Sequence, residues 1–423
     1  MPIPALPIEV IDNILAYFIE QSPKASHDPI NSVNQPYLEP PLVSELLTFR
    51  LIDKNWANAV LPHVYDGVRV SSRFMISSLS RTLKDSFLIA TMPRLSRLSF
   101  ERLEYPILHI SSYQIGDLAN RTNEPCLSFQ NWKVDYSSTL MKDIEGIITM
   151  CSDTLTDVRF RFNGSVGFSP GIIKAVERAQ DLQILSIIGG FCGVPINDSD
   201  SIKDLLNAAP GLRSLYLQVP FLRRLSPPPG SLPQLEHLSV TCNPNNLTAL
   251  RHLIEMIGEN IKAFEYVPHD DRDHSVILAM RSSLRILFTD SLPDCLPVGV
   301  RDVDFPHLRL IRTIDSSIFI TDYDRSHDYW RQVLRNYPGH SLMTPPRFRH
   351  IIFVIDEGAR VEDPALAQRF EVYGICCHFT TQPSYWGLLF RVLDVVLWGM
   401  KRVVYHQNST DRHQAHGSYN TSL

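Results

Sequence analysis

The sequence predicts an α/β chain: three short N-terminal helices, then an irregular solenoid with one strand and one helix per repeat. Three observations carry this prediction. Across the first sixty residues, apolar positions fall at helical spacing. From residue 92 onward a phrase of the form apolar-x-x-apolar-x-apolar recurs. Between its occurrences lie segments whose apolar residues are three and four apart, the mark of amphipathic helices. The composition of 44% hydrophobic and 20% charged residues excludes a disordered or fibrous chain. Its 30 prolines outnumber its 19 glycines, which suggests many short elements joined by stiff corners.

In the first helix Pro7 stands near the first position, where its missing N–H is no loss, and Glu9 lies in the first turn. Ile11, Ile14, Leu15 and Phe18 form one apolar face. From Glu20 to Pro41 the pattern stops in a proline-rich polar loop. It resumes with Val43, Leu46, Leu47 and Leu51, then with Ile52, Trp56, Ala59 and Val60; Pro62 is predicted to end the third helix. Three helices of about 40 residues bury too little core to be self-sufficient. Leu6, Pro7, Ile11 and Leu51 are therefore read as outward residues that a partner covers.

The repeating phrase reads Leu95-Leu98-Phe100, Leu155-Val158-Phe160, Leu182-Leu185-Ile187, Leu212-Leu215-Leu217, Leu235-Leu238-Val240 and Ile261-Phe264-Tyr266. Looser copies are Leu284-Leu287 and Leu308-Ile311. From 155 to 308 the starts are 27, 30, 23, 26, 23 and 24 residues apart, the period of leucine-rich repeats, slightly stretched. The gap of 60 before Leu155 leaves room for two repeats, with Cys126 to Phe129 a degraded candidate. Helices are predicted at 138–151, 171–179, 201–209, 246–260 and 275–283. One such unit cannot bury its own apolar face, whereas stacked units share a continuous core. Past 320 the phrase fades. Helices are predicted at Tyr329–Tyr337, Pro364–Tyr373 and Trp386–Arg402 and a strand at Phe348–Phe353, with a polar tail from Asn408. The expected organisation is 1–62 for the helical module with its 20–41 loop, 63–360 for the solenoid, and 361–423 for a cap and tail.

The segment LPIEVIDNILAYF followed by LLTFRLIDKNWANAVLPHVYDGVRVSS resembles an F-box. The resemblance rests on Leu6-Pro7-x-Glu9, Ile14-Leu15, Arg50-Leu51-Ile52, Lys54 and Trp56, and covers about 40 residues in two blocks. The departure is the long loop between the first two helices, and loop closure costs only about 0.6 kcal/mol per doubling of length. With the repeats behind it, the chain resembles the irregular, fungal-type F-box proteins with leucine-rich repeats. Against that family's asparagine at each strand exit, only Asn163 and Asn243 match. The resemblance implies that Leu6, Pro7, Ile11, Leu15, Leu51, Ile52 and Trp56 dock on the Skp-type adaptor of an SCF ubiquitin ligase, and through it on cullin and the RING subunit. It also implies a substrate receptor for an unknown protein, feeding proteasomal degradation. The alternative is a non-catalytic scaffold that never drives ubiquitin transfer.

Residues alternating with the phrase should line an exposed sheet. They are Asp157, Arg159 and Arg161; Ile184, Ser186 and Ile188; Ser214, Tyr216 and Gln218; His237, Ser239 and Thr241; and Glu265. Arg159, Arg161, Ser214, Tyr216, Gln218, His237, Thr241 and Glu265 are the candidate substrate contacts.

Catalytic chemistry is not expected. No GxxxxGK[ST], GxGxxG, HExxH or GxSxG occurs. Cys376 and His378 share a strand face but have no third group to orient the imidazole. The His269–His274 stretch is read as a polar loop, so no metal or cofactor is expected. A net charge of −5 without a basic run argues against a nucleic-acid partner. The N-terminus lacks a signal peptide's basic region, and the most apolar stretch, 386–400, holds Arg391 and Asp394 and is too short to span a membrane. Seven irregularly spaced cysteines read as buried free thiols in the cytoplasm or nucleus.

Overall fold

A computed structural model describes residues 6–21, 40–84, 95–103, 107–109, 133–135, 139–163, 165–189, 197–219, 222–242, 245–268, 275–289, 305–314, 349–354 and 364–380. The predicted elements at 126–129, 329–337 and 386–402 lie outside them, as does the 269–274 loop.

The first three helices are α1 (Ile8–Gln21), α2 (Pro40–Phe49) and α3 (Lys54–Tyr65). They close around Ile11, Leu15, Leu42, Leu46, Ala59, Val60 and Val64. Phe49 stands between Phe18 and Trp56, with ring centroids 5.5 and 5.6 Å away. Asp53 caps α3: its carboxylate accepts from the backbone N–H of Asn55 (2.6 Å) and Trp56 (3.0 Å). Pro62 does not end α3, which runs on to Tyr65. The helical bond that Pro62 forgoes would have gone to the carbonyl of Asn58, an exposed residue where water can replace it.

Next in the chain come β1 (Gly67–Val70), α4 (Arg73–Lys84) and β2 (Arg97–Leu103), then the short antiparallel pair β3 (Ile107–His109) and β4 (Lys133–Asp135). After α5 (Thr139–Cys151) the repeats proper begin: β5 (Asp157–Phe162), α6 (Pro170–Arg178), β6 (Ile184–Ile188), α7 (Ser199–Asn207), β7 (Ser214–Gln218) and β8 (His237–Cys242). They continue as α8 (Leu247–Ile257), β9 (Ala263–Pro268), α9 (Ser275–Ala279), β10 (Ile286–Thr289), β11 (Leu310–Ile314), β12 (His350–Val354), α10 (Pro364–Glu371) and β13 (Cys376–Thr380).

One 11-stranded sheet runs β1-β2-β5-β6-β7-β8-β9-β10-β11-β12-β13, and every pairing in it is parallel. Except for the β3–β4 excursion, spatial order follows chain order, which defines a repeat solenoid. The central phrase positions stack in register as Val68, Leu98, Val158, Leu185, Leu215, Leu238, Phe264, Leu287, Ile311, Ile351 and Cys377. Together with the inner faces of the helices, these residues belong to one continuous core.

Three expectations change. The 60-residue gap adds no strand to this sheet between β2 and β5, which pair directly. The sheet runs past the predicted end of the solenoid at 360, since β13 joins it, while β1, inside the predicted range, adds a strand ahead of the first repeating phrase. Between β7 and β8 no helix forms among the described residues: three consecutive prolines, 227–229, forbid one. Buried Leu222, Leu225 and Leu232 cover the core there, and Gly230 turns the chain at φ +81°.

The capping asparagines are also displaced. Asn163 is exposed, and Asn243 lies outside the described residues. The tie between repeats is Asn246, buried, whose Nδ2 donates to the carbonyls of Val219 (2.9 Å) and Thr241 (2.8 Å). Asn246→Ala should cost about 2 kcal/mol by stranding two buried carbonyls. Asn246→Asp should cost more, because it sets acceptors against acceptors. Urea denaturation of the two variants checks that order.

Candidate functional site

Two surfaces can do functional work: the outer face of the helical module and the inner face of the sheet. On the helical module, Leu6, Ile8, Val10, Ile14 and Tyr17 are exposed, and at the α2–α3 turn Leu51 and Ile52 are 81% and 58% exposed. Val10, Ile14 and Tyr17 are outward because Ile11 and Leu15 already fill the core from the other side of α1, and Leu51 and Ile52 stand out on the turn between α2 and α3. Asn55 Nδ2 donates to the carbonyl of Leu6 (3.2 Å), fixing the segment before α1 against α3.

Of the seven predicted docking residues, Leu6, Pro7, Leu51 and Ile52 are exposed and Trp56 is half-buried on the rings beneath. Ile11 and Leu15 are fully buried, which corrects the outward placement of Ile11. The helical period puts 11 and 15 on one side and 10, 14 and 17 on the other, with Ile8 exposed at the first position of α1, so the buried pair braces the face without forming it. Asp66 joins the module to the sheet. Its carbonyl accepts from the N–H of Ser96 and Arg97, and its carboxylate holds the Ser96 hydroxyl (2.6 Å) and the Arg97 guanidinium (2.7 Å).

The inner face of the sheet is less open than predicted. Asp157, Arg159, Ser186, Ser214, Tyr216, His237, Ser239, Thr241 and Glu265 are all buried; Arg161 is exposed and Gln218 half-buried. The reason lies in cross-strand sizes. One row in register reads Arg69, Ser99, Arg159, Ser186, Tyr216, Ser239, Glu265. Strands are about 4.8 Å apart, so a long side chain on one strand overlays the serine on the next. Long and short residues interdigitate and close the face to water. Ile184 and Ile188 pack on Tyr216.

Two charged groups in this layer are paired. Arg159 grips Asp157 through Nε (3.0 Å to Oδ1) and Nη2 (2.6 Å to Oδ2), both side chains almost fully buried. Across β7, β8 and β9, Ser214 Oγ lies 2.6 Å from His237 Nδ1, and His237 Nε2 lies 3.4 Å from Glu265 Oε1. Hydroxyl, imidazole and carboxylate in that order are the parts of a nucleophile and its base. Here Ser214 is 0% exposed and His237 1%, so no substrate carbonyl can reach the oxygen. The arrangement ties three strands together. It escaped sequence reasoning because 23 residues separate Ser214 from His237, and only register brings them together.

At the far end of the sheet His350 Nδ1 and His378 Nε2 stand 3.3 Å apart. Burial lowers both imidazole pKa values, and at His350 the charges of His378 and Arg349 lower it further. Both rings therefore bind a proton less readily folded than unfolded. As pH falls below the ordinary histidine value of about 6.5, the unfolded chain takes up protons that the folded chain declines, and stability drops until the folded values are passed. The thermal midpoint should fall between neutrality and about pH 5, and His350→Gln with His378→Gln should flatten that fall.

Cys151 is buried, and burial alone pushes its thiol up to about 11, as suits an inert core cysteine. Cys376 is exposed, contrary to the expectation of buried thiols, because it lies on the sheet face that β13 turns to solvent beside His378. Among the described residues no group of three or more His, Cys, Asp or Glu is placed to hold a metal ion, and no helix is long and apolar enough to cross a membrane.

No family model matches the chain, and no curated protein sequence does. Among solved structures that match is one described as "Crystal structure of Rad7 and Elc1 complex in yeast", at 12% identity over 88% of this chain and 92% of that chain. Its TM-score is 0.33, a likeness too distant to carry an argument about this protein.

Proposed function

We propose that the chain is the substrate-recognition subunit of an SCF-type ubiquitin ligase. In this reading the N-terminal helices dock on a Skp-type adaptor, and the solenoid holds a target protein near the conjugating enzyme. The observation that carries it is the row of apolar side chains, Leu6, Ile14, Leu51 and Ile52 among them, standing in solvent over an already closed three-helix core. A module this small gains from a partner that covers such a face. The F-box resemblance of the same residues supplies the kind of partner. The chain itself does no bond chemistry in this reading: it raises the effective concentration of target lysines. Its place of action is then the cytoplasm or nucleus.

The test is reconstitution of the chain with adaptor, cullin, RING subunit and ubiquitin-charged conjugating enzyme. Ubiquitin chains on the protein itself or on co-purified target support the reading. Adaptor binding without any transfer would favour a scaffold instead.

A further inference from the structure

The last two strands of the sheet carry two imidazoles on one face. β12 and β13 pair in parallel, with His350 opposite Cys376 and Ile352 opposite His378. Alternate residues of a strand share a face, and Ile351, Phe353, Cys377 and Phe379 take the core side. His350, Cys376 and His378 therefore lie together on the side turned away from the core. Among the described residues no strand follows β13 in the sheet, so no long side chain from a further strand overlays this end. His378 and Cys376 are exposed, and His350 is half-buried.

The spacing of the two rings is the informative quantity. His350 Nδ1 and His378 Nε2 are 3.3 Å apart, with ring centroids 5.6 Å apart and planes tilted by 30°. Two imidazole nitrogens on a tetrahedral zinc ion, each at about 2.0–2.1 Å, lie about 3.3–3.4 Å from one another. A square-planar ion with bonds of about 2.0 Å would draw them to about 2.8 Å. Magnesium and calcium take oxygen ligands, and this pair offers none. Burial favours the neutral form of both rings, the form that serves as a ligand. The positive charge of Arg349 works against a metal ion beside His350, so a modest affinity is expected.

We infer that His350 and His378 form a two-histidine site for a divalent transition-metal ion of tetrahedral preference, zinc being the ion whose geometry fits. The two nitrogens meet as hydrogen-bond partners, and on binding the donor ring moves its proton to its other nitrogen. Both facing lone pairs then go to the metal, and water fills the remaining positions. Cys376 is not a required ligand, since among the described residues no group of three is placed to hold a metal. An ion held here clips β12 to β13 and braces the end of a stack in which each repeat leans only on its neighbours. The inference is independent of the receptor reading.

The test is a zinc titration of the full chain, purified in chelator and then freed of it, in competition with a chromophoric zinc indicator. The native chain, His350→Gln, His378→Gln and Cys376→Ser are compared, with magnesium as the second ion. Each histidine variant should bind one equivalent of zinc fewer than the native chain, and Cys376→Ser should match the native chain. Zinc should raise the thermal midpoint of the native chain and of Cys376→Ser more than that of either histidine variant, whereas magnesium should raise none. Both histidines reach the surface, so glutamine should be accommodated, and circular dichroism without metal checks that each variant is folded. Equal zinc stoichiometry in the native chain and a folded histidine variant would show a plain imidazole–imidazole hydrogen bond and overturn the inference. Loss of the equivalent in Cys376→Ser would place the metal on the thiol and overturn it too.

Discussion

Replacing Asp157 by alanine should cost about 3–5 kcal/mol of stability, among the largest single effects available in this chain. Asp157 is 0% exposed and Arg159 6%, and the guanidinium holds both carboxylate oxygens. Removing the carboxylate leaves a cation in a layer where Ser99 and Ser186 on the flanking strands offer no negative charge. The asymmetry is the diagnostic part. Removing both charges, as in Asp157→Leu with Arg159→Met, should recover most of the loss, since a buried ion pair is often matched by well-packed apolar groups. Urea titration of the three proteins measures it. A double variant as unstable as the single one would mean that the pair is needed for more than mutual neutralisation.

Phe264→Ala should cost a similar amount, about 3–5 kcal/mol, for a different reason. Phe264 is fully buried on β9, in register with Leu238 and Leu287 and 5.7 Å from the Tyr266 ring. Its truncation opens a cavity in the middle of a stack in which each repeat is braced only by its neighbours. Beyond a lower midpoint, the transition should broaden or split, because the two halves then unfold with weaker coupling. The measurement is unfolding followed by both circular dichroism and tryptophan fluorescence. Coincident, sharp transitions in the variant would argue against nearest-neighbour stabilisation.

The repeat was legible in sequence because its signal is local. A strand needs two or three inward apolar residues at alternate positions, and Leu212, Leu215 and Leu217 supply them within six residues. The intervening helices were legible for the same reason. What the sequence did not disclose depends on register. Whether Arg159 or Ser214 meets water is decided by the sizes of residues 20 to 60 positions away on the flanking strands, and no local window contains them. Asn246 was missed because it stands three residues past position 243, where the regular repeat puts its asparagine. In the helical module the existence of three helices was legible, whereas periodicity alone could not tell the inner pair Ile11 and Leu15 from the outer row beside them.

The receptor reading stands or falls on the helical face. The most direct measurement is co-purification of the full chain with a Skp-type adaptor, native beside a Leu6→Asp, Leu51→Asp double variant. Both positions are exposed, so the variant should keep the native circular dichroism. A stoichiometric complex for the native chain that the variant loses is the predicted result. A folded native chain that captures no adaptor, or a variant that captures it equally well, would contradict the account and leave a solenoid whose helical cap docks elsewhere.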